Sequence, residues 1–354
     1  MESAIPHPLQ EERKTPVSTP AAYTPPFPAW TTRFSPLVER VVMAYFGVQS
    51  TQTEGELALD AITARFSTAH GPSHWDLATY RDELGFINDI AIAYWASAET
   101  FSLWKTESDF QEWWQSVDRE QEEYGLFMEV VTPDIRGIET IFSDHHHPEG
   151  IAHLARKMSD EIQEHGYWGS ARDRLPLAQT SPLNTHSELR ISSINAARQI
   201  VHGSDNLCLI RSGQDWSDTL NEERTLYVED VEPILNTGMR FLRDDGPTIG
   251  CLSCRYMQVL ERDDRALLPK TFGLAHFTDL QALELWSKSH PTHVAIFKEF
   301  MKYVKALNFD IKLRLWHEIS VIPAQSQYFE YINCHPNTGL LKKGKSSCNT
   351  DSVR

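Results

Sequence analysis

The order of apolar and polar positions along the chain predicts an alternation of strands and helices. Short runs that are apolar throughout or at every second position predict strands, whereas apolar residues three and four positions apart predict helices. In the first half, strands are predicted near 41–49, 74–80, 86–95 and 126–131, and helices near 54–67 and 97–116. In the second half, strands are predicted near 205–212, 254–260, 270–277 and 311–320, and helices near 216–241 and 278–307. A last strand is predicted over 328–332.

The two halves also resemble each other in sequence. Residues 94–104 match 276–286 at an offset of 182 positions, and residues 127–130 match 316–319 at an offset of 189. Each half follows the strand, helix, strand, strand, helix, strand order of a ferredoxin-like unit. We therefore expect an α+β protein whose duplicated ferredoxin-like halves form a dimeric α/β-barrel-type β core flanked by helices.

Composition divides the chain further. Seven prolines among the first 28 residues predict an extended arm over residues 1–30, which either wraps the body or stays mobile. We then expect the first ferredoxin-like half over 31–150, a connecting segment over 151–200, the second half over 201–340, and a flexible polar tail over 341–354.

Charge narrows the range of functions. The chain of 354 residues has 33 basic and 49 acidic side chains, a formal net charge of −16. Such a surface repels phosphate backbones and anionic lipids, so we expect neither a nucleic-acid nor a membrane partner. No run approaches the roughly 18 apolar residues of a membrane span. Five sparse cysteines favour a reducing cytoplasm over a disulfide framework.

His293 is the first candidate for chemistry. It follows Pro291, which suits the first turn of a helix, and Ile296 and Phe297 lie on its helical face. An imidazole beside an apolar face is the environment of a haem ligand. A histidine that only caps a helix would fit the same pattern.

His317 is the second candidate. It alternates with Leu313 and Leu315 in a predicted strand, so we expect it to point inward with them. A buried imidazole needs a hydrogen-bond partner or a functional use. The spacing alone is compatible with a satisfied core histidine.

Two further segments carry polar side chains at irregular positions. Residues 164–176 combine an aromatic pair between two glycines with Arg172 and Arg174, which is typical of a site loop or of a solvated turn. Ser212 ends a predicted strand, where it could bind a ligand or cap the next helix. The pair Cys251 and Cys254 has no second pair at zinc-site spacing, and 145–147 is a loop cluster of three histidines.

Four blocks of the chain resemble the bacterial and fungal aldoxime dehydratases. The resemblance is carried by Glu164–Ser170, Leu209–Trp216, Ser289–His293 and Phe329–Pro336, and it runs from about Pro25 to Gly339. It implies a haem b protein with a duplicated ferredoxin-like core, usually a homodimer, that converts R–CH=N–OH into a nitrile and water with the iron ferrous. It implies a place in nitrile biosynthesis with a small-molecule aldoxime as substrate.

The resemblance also implies a role for individual residues. His293, in the second half, is implied to be the proximal ligand of the haem iron. His317 is implied to be the distal histidine, which acts as general acid and base. Ser212 is implied to bind the oxime oxygen, and Glu139 to lie near the distal histidine. Spacing favours Arg174 as the distal arginine of the connecting segment, with Arg172 as the fallback.

Other classes of protein remain open at this point. A haem oxidoreductase of the chlorite-dismutase or dye-peroxidase type would use the same proximal histidine. A non-enzymatic haem carrier or sensor would need His293 but not Ser212 or Arg174. A plain ferredoxin-like interaction module would bind no haem. The sequence does not decide between aliphatic and aryl-alkyl aldoximes.

Overall fold

One large, almost wholly antiparallel sheet runs through the molecule, and helices cover its outer faces. The computed structural model describes residues 1–51, 55–343 and 345–346. The strands in this part of the chain are β1 (Thr32–Arg33), β2 (Val42–Ser50), β3 (His74–Arg81), β4 (Ile87–Trp95), β5 (Gly125–Val131), β6 (Ile138–Phe142), β7 (Lys157–Met158), β8 (Arg190–Ser193), β9 (Arg198–His202), β10 (Leu207–Asp215), β11 (Cys251–Leu260), β12 (Leu267–Phe277), β13 (Arg314–Ile322), β14 (Gln327–Ile332) and β15 (Lys345–Ser346). The helices are α1 (Gly55–Ala64), α2 (Ala98–Glu107), α3 (Phe110–Gln115), α4 (Ser170–Arg174), α5 (Asn221–Leu226), α6 (Glu232–Asp244), α7 (Leu280–Ser289) and α8 (Pro291–Ala306).

The main sheet has the strand order β15-β8-β9-β14-β5-β2-β4-β3-β11-β12-β10-β13-β6. Strands from the two halves of the chain meet at β3 and β11, over three residue pairs between 77–79 and 258–260. Two strands cross to the other half. β6 follows the first group of strands but pairs with β13, whereas β14 follows the second group but pairs with β5. Both halves of the chain therefore contribute strands to one continuous sheet.

The interior face of both groups forms one apolar core. Tyr94 and Phe127 from the first group pack in the same buried cluster as Leu209 and Phe272 from the second. The opposite face of each group is covered by helices, with Trp104 of α2 in one cluster and Trp286 of α7 in another. Both faces of the central strands are consequently buried, so their sequences are apolar on both sides.

The predicted strands are all present, with ends displaced by a few residues, but the long helices differ. The helix predicted over 97–116 is broken near Asp109, which has a left-handed φ of 58°. The helix predicted over 278–307 is broken at His290, because Pro291 has no N–H to continue the helical hydrogen bonds. The helix predicted over 216–241 begins at Asn221 and passes through a π-helical segment, Tyr227–Val231. Strand β6, which carries Glu139, was not predicted.

The proline-rich arm wraps the body. Ala4, Ile5 and Ala29 are buried, and the backbone N–H groups of Ser18 and Thr19 donate to the carboxylate of Asp173. In the predicted tail, residue 344 and residues 347–354 lie outside the described part of the chain, as does residue 54 at the predicted start of α1. None of the described helices is both long and apolar enough to cross a membrane.

Candidate active site

His317 lies on the helix-covered face of β13, not in the central core. Its neighbours Trp316 and Glu318 point to the interior, where Glu318 accepts a hydrogen bond from the Tyr94 hydroxyl at 2.6 Å. The His317 side chain keeps 24% of its surface exposed. Leu313 and Leu315 pack in a buried cluster beneath helices, so the inward-pointing face predicted for His317 is this helix-covered face. Both faces of the strand are covered, and alternation alone cannot tell which one is the central core.

Three predicted site residues meet on this face. The Nε2 atom of His317 lies 2.8 Å from Oε1 of Glu139, and the Arg174 Nε–H donates to Oε2 of the same carboxylate at 2.7 Å. Arg174 and Glu139 are almost fully buried, with side-chain exposures of 2% and 1%. Burial raises the pKa of Glu139, but the charges of Arg174 and His317 outweigh it and the net pKa is lowered. The carboxylate is therefore ionised and accepts hydrogen bonds from both Arg174 and His317.

The hydrogen-bonding capacity of these groups assigns the tautomer of His317. Nη2 of Arg174 also lies 3.2 Å from Nε2, but an arginine can only donate and a carboxylate can only accept. One ring nitrogen cannot satisfy both, and the shorter contact is the one to Glu139. We therefore assign the proton of Nε2 to the bond with Glu139, which leaves Nδ1 as the nitrogen that can exchange a proton with a ligand.

Arg174 is held at the end of α4 by the loop before it. Its Nη1–H groups donate to the backbone oxygen of Glu164 at 2.9 Å and to the Ser170 hydroxyl at 3.1 Å. The loop can turn sharply into the helix because Gly169 has a φ of 92°, which favours glycine. Arg172 points elsewhere and pairs with Glu284 at 2.7 Å. The two arginines thus occupy different environments, and only Arg174 contacts His317.

Ser212 lies directly across the sheet from His317. The two residues are register partners in the pairing of β10 with β13, so their side chains share one face. On the other side of Ser212, Gly273 of β12 leaves room for the side chain of Met239, whose Sδ would lie only 2.9 Å from an added Cβ. His317, Ser212 and Gly273 thus lie side by side on the adjacent strands β13, β10 and β12.

His293 lies in the first turn of α8, where His290 is the N-cap residue. Burial lowers the pKa of His293 to about 4, so the ring is neutral at physiological pH. Its Nδ1 atom is buried without a hydrogen-bond partner among the described residues. The rings of Trp286 and Trp168 stand edge-on to it, with centroids 4.7 and 5.9 Å away.

A buried polar network beneath the site was not found from the sequence. Arg211 donates to the Tyr94 hydroxyl at 2.7 Å and to Asp76 at 2.8 Å, and Glu318 accepts from Tyr94. Arg211 and Glu318 are register partners, next in sequence to Ser212 and His317. The only sequence signal was a pair of charged residues inside predicted strands. This network stabilises β10 and β13 on their interior face, and the candidate site lies on the opposite face of the same two strands.

Comparison with known proteins places this geometry in a family. The family model of haem-containing dehydratases matches residues 44–340. The chain belongs to this haem-containing dehydratase family. It is 41% identical to an aliphatic aldoxime dehydratase of Rhodococcus erythropolis over 97% of this chain and 98% of the relative. It is 33% identical to a phenylacetaldoxime dehydratase of a Bacillus species over 91% of this chain and 93% of that relative.

Solved structures agree with this assignment. A crystal structure of an aldoxime dehydratase in complex with butyraldoxime superposes with a TM-score of 0.93 at 40% identity, covering 98% of this chain and 97% of that one. The resemblance to aldoxime dehydratases and the enzyme class inferred from the sequence are confirmed. The comparisons give no support to the haem oxidoreductase or to the haem carrier.

The site of this haem-containing dehydratase fits a haem. A neutral imidazole with an unpartnered nitrogen can give its lone pair to iron, and His293 has both properties. The backbone of Ser287 acts to raise the pKa of this ring, but the effect of burial is larger and keeps it lowered. Flanking indoles of Trp168 and Trp286 supply the apolar surroundings that a porphyrin needs.

Proposed function

We propose that this protein dehydrates aldoximes, R–CH=N–OH, to nitriles and water at a ferrous haem b. The support is the set of relatives named aldoxime dehydratases over nearly the full chain, one of them crystallised with butyraldoxime. The observation that carries the chemistry is the contact of His317 with Glu139 and Arg174, opposite Ser212. It joins a proton donor, its counter-ion and a hydroxyl on one face.

His293 would hold the haem iron in this proposal. The bound ferrous haem supplies a coordination position for the oxime nitrogen and electron density that favours cleavage of the N–O bond. The remaining work belongs to the side chains of the chain itself, because an oxime hydroxyl leaves poorly until it is protonated.

His317 is the proposed proton donor. In this proposal its Nε2–H donates to the ionised Glu139, so the proton on Nδ1 is the one given to the ligand. Transfer of that proton to the oxime oxygen lets the oxygen leave as water. The ring is then neutral, and the same Nδ1 can accept the proton from the oxime carbon as the nitrile forms. The two protons balance, so His317 ends as it began, and only water is lost.

Ser212 and Arg174 are proposed to set the geometry of that transfer. Ser212 lies across from His317 and would hold the oxime hydroxyl within reach of the ring. Arg174 fixes the Glu139 carboxylate from the side opposite His317. Glu139 alone would have a strong tendency to take up a proton in this buried place, and Arg174 prevents that.

Several broader features belong to the same proposal. The strand orders β5-β2-β4-β3 and β13-β10-β12-β11 have the same pattern, which supports two duplicated ferredoxin-like halves over 31–150 and 201–340. An arm over 1–30, a connecting segment over 151–200 with the distal-site loop, and a tail over 341–354 complete the division. We also propose that the protein is cytoplasmic, since the sparse cysteines suit a reducing compartment. The family resemblance further implies a homodimer that acts in nitrile biosynthesis.

The two neighbouring arginines give a matched prediction. Arg174→Gln is expected to lower kcat for aldoxime dehydration by about 10- to 100-fold, because Glu139 loses the cation that keeps it ionised and placed. Arg172→Gln, which removes the same charge two residues away, should leave kcat within about twofold. Steady-state nitrile formation with equal haem loading measures both. Equal effects of the two substitutions would contradict the assignment.

The proposal as a whole is tested by spectroscopy and product analysis together. The haem-loaded protein is reduced with dithionite and mixed with butyraldoxime, and the Soret band and the nitrile are followed in one cuvette. A band shift with nitrile formed only in the ferrous state is the expected result. A haem protein that turns over peroxide but forms no nitrile would overturn the proposal.

A further inference from the structure

The turn that follows β6 gathers side chains that can bind a metal ion and that the dehydration chemistry does not use. Asp144, His145 and His146 lie one after another, and one ligand atom of each falls within 4.8 Å of the others. Metal–ligand bonds to such atoms are about 2.0–2.2 Å long, so ligand atoms around one ion stand about 3–4 Å apart. Rotation of exposed side chains can close that difference.

The carboxylate of Asp144 is oriented by two hydrogen bonds. The His146 N–H donates to Oδ1 at 2.8 Å, and His147 Nδ1 lies 2.5 Å from Oδ2. Each oxygen keeps a second lone pair, so the carboxylate can bind an ion without losing these bonds.

The histidines are exposed but held in place. The ring of His145 packs against both Trp30 and His146, with ring centroids 4.7 and 3.8 Å away. Trp30 is itself tied to the end of β6, because its backbone exchanges two hydrogen bonds with Phe142 at 2.9 and 3.0 Å. The cluster therefore sits on a fixed platform that solvent and ions can reach.

The turn is also joined to the strand of the catalytic histidine. The Ser143 N–H donates to the backbone oxygen of Leu315 at 2.9 Å, and the Leu315 N–H donates to the Ser143 hydroxyl at 2.9 Å. Leu315 lies two residues before His317, and β6 carries Glu139. An ion that ties Asp144 to the two histidines would therefore stabilise the end of the β6–β13 pair.

We propose that Asp144, His145 and His146 bind one divalent transition-metal ion, of the Zn²⁺, Ni²⁺ or Cu²⁺ kind, and that the ion stabilises this end of the sheet. Two imidazoles and one carboxylate are the ligand set that such ions prefer, whereas Mg²⁺ and Ca²⁺ prefer oxygen ligands alone. The site lies apart from His293 and takes no part in the dehydration.

Calorimetry with Zn²⁺ tests the binding. The protein is used without a polyhistidine tag and loaded with haem, so that His293 is occupied, and is stripped with a chelator beforehand. The parent should bind about one ion, and H145A, H146A and D144N should each weaken the affinity by about tenfold or more. H186A, which removes an exposed histidine elsewhere, should bind like the parent. Unchanged affinity in the three site variants, or no saturable binding in the parent, would overturn the site.

Two further readouts test its location and its effect. Cu²⁺ bound at the site should quench the emission of Trp30, so the quenching seen in the parent should be lost in W30F. W30F should still bind Zn²⁺ in calorimetry, because Trp30 is not a ligand. Zn²⁺ should raise the Tm of the parent but not that of the H145A/H146A double variant. Quenching that persists in W30F would overturn the location, and equal Tm values with and without Zn²⁺ in the parent would overturn the stabilising role.

Discussion

His317→Ala is expected to lower kcat for aldoxime dehydration by about 10²- to 10⁴-fold, the usual contribution of a positioned general acid. Haem content should stay near that of the parent, because His317 lies on β13 and the proposed iron ligand lies on α8. The fold should survive as well, since Glu139 keeps its buried ion pair with Arg174. Nitrile formation per haem, measured with the ferrous enzyme and butyraldoxime, gives the result.

His317→Asn is the useful companion variant. An asparagine can still hydrogen-bond Glu139 but cannot donate and accept a proton at neutral pH, so it should be as inactive as the alanine variant. Near-normal turnover in either haem-loaded variant would rule out His317 as the acid.

His293→Ala is expected to abolish the Soret band of the ligated haem and with it all but a trace of dehydration. The substitution removes the neutral ring whose Nδ1 atom is buried and unpartnered, and with it the proposed iron ligand. Haem titration followed at the Soret band, with circular dichroism as a check on folding, measures the loss. Free imidazole added to the variant should restore part of the band, because it can enter the space between Trp168 and Trp286.

His290→Ala provides the control on the same helix start. His290 caps α8 by accepting from the Thr292 N–H, so its loss should cost about 0.5–2 kcal/mol of stability but leave the haem bound. A His293→Ala protein with an unchanged Soret band would assign the iron to a different residue. Equal loss of haem in both variants would indicate that the helix, rather than the ring, was damaged.

Much of the frame of this molecule could be predicted from apolar spacing. The strands that carry Ser212 and His317 were predicted within a few residues, because their runs of apolar positions are long. Strand β6 was not, since its five residues are interrupted by Glu139 and Thr140, which look like a turn in the sequence alone. Both are buried, and only the pairing with β13 explains them.

The candidate site was less accessible to sequence reasoning. The pairing of Arg174 with Glu139 joins residues 35 positions apart, and no local pattern reports such a contact. Spacing favoured Arg174 and kept Arg172 as the fallback. The fold separates the two, because the short helix α4 turns Arg172 toward Glu284 and Arg174 toward His317. The orientation of His317 depended on which face of β13 was the core, and both faces are covered.

The exchange of β6 and β14 between the two groups of strands governs when the site can form. Glu139 is synthesised well before His317, yet it lies on a strand that has no place until β13 has emerged and paired. The first group likewise lacks β14 until the chain is almost complete. Contacts over such long sequence separations slow folding. In a nascent or truncated chain that lacks β13, strand β6 and its Glu139 therefore have no partner strand. The proposed proton-transfer site therefore forms last, in a chain that has folded along its whole length.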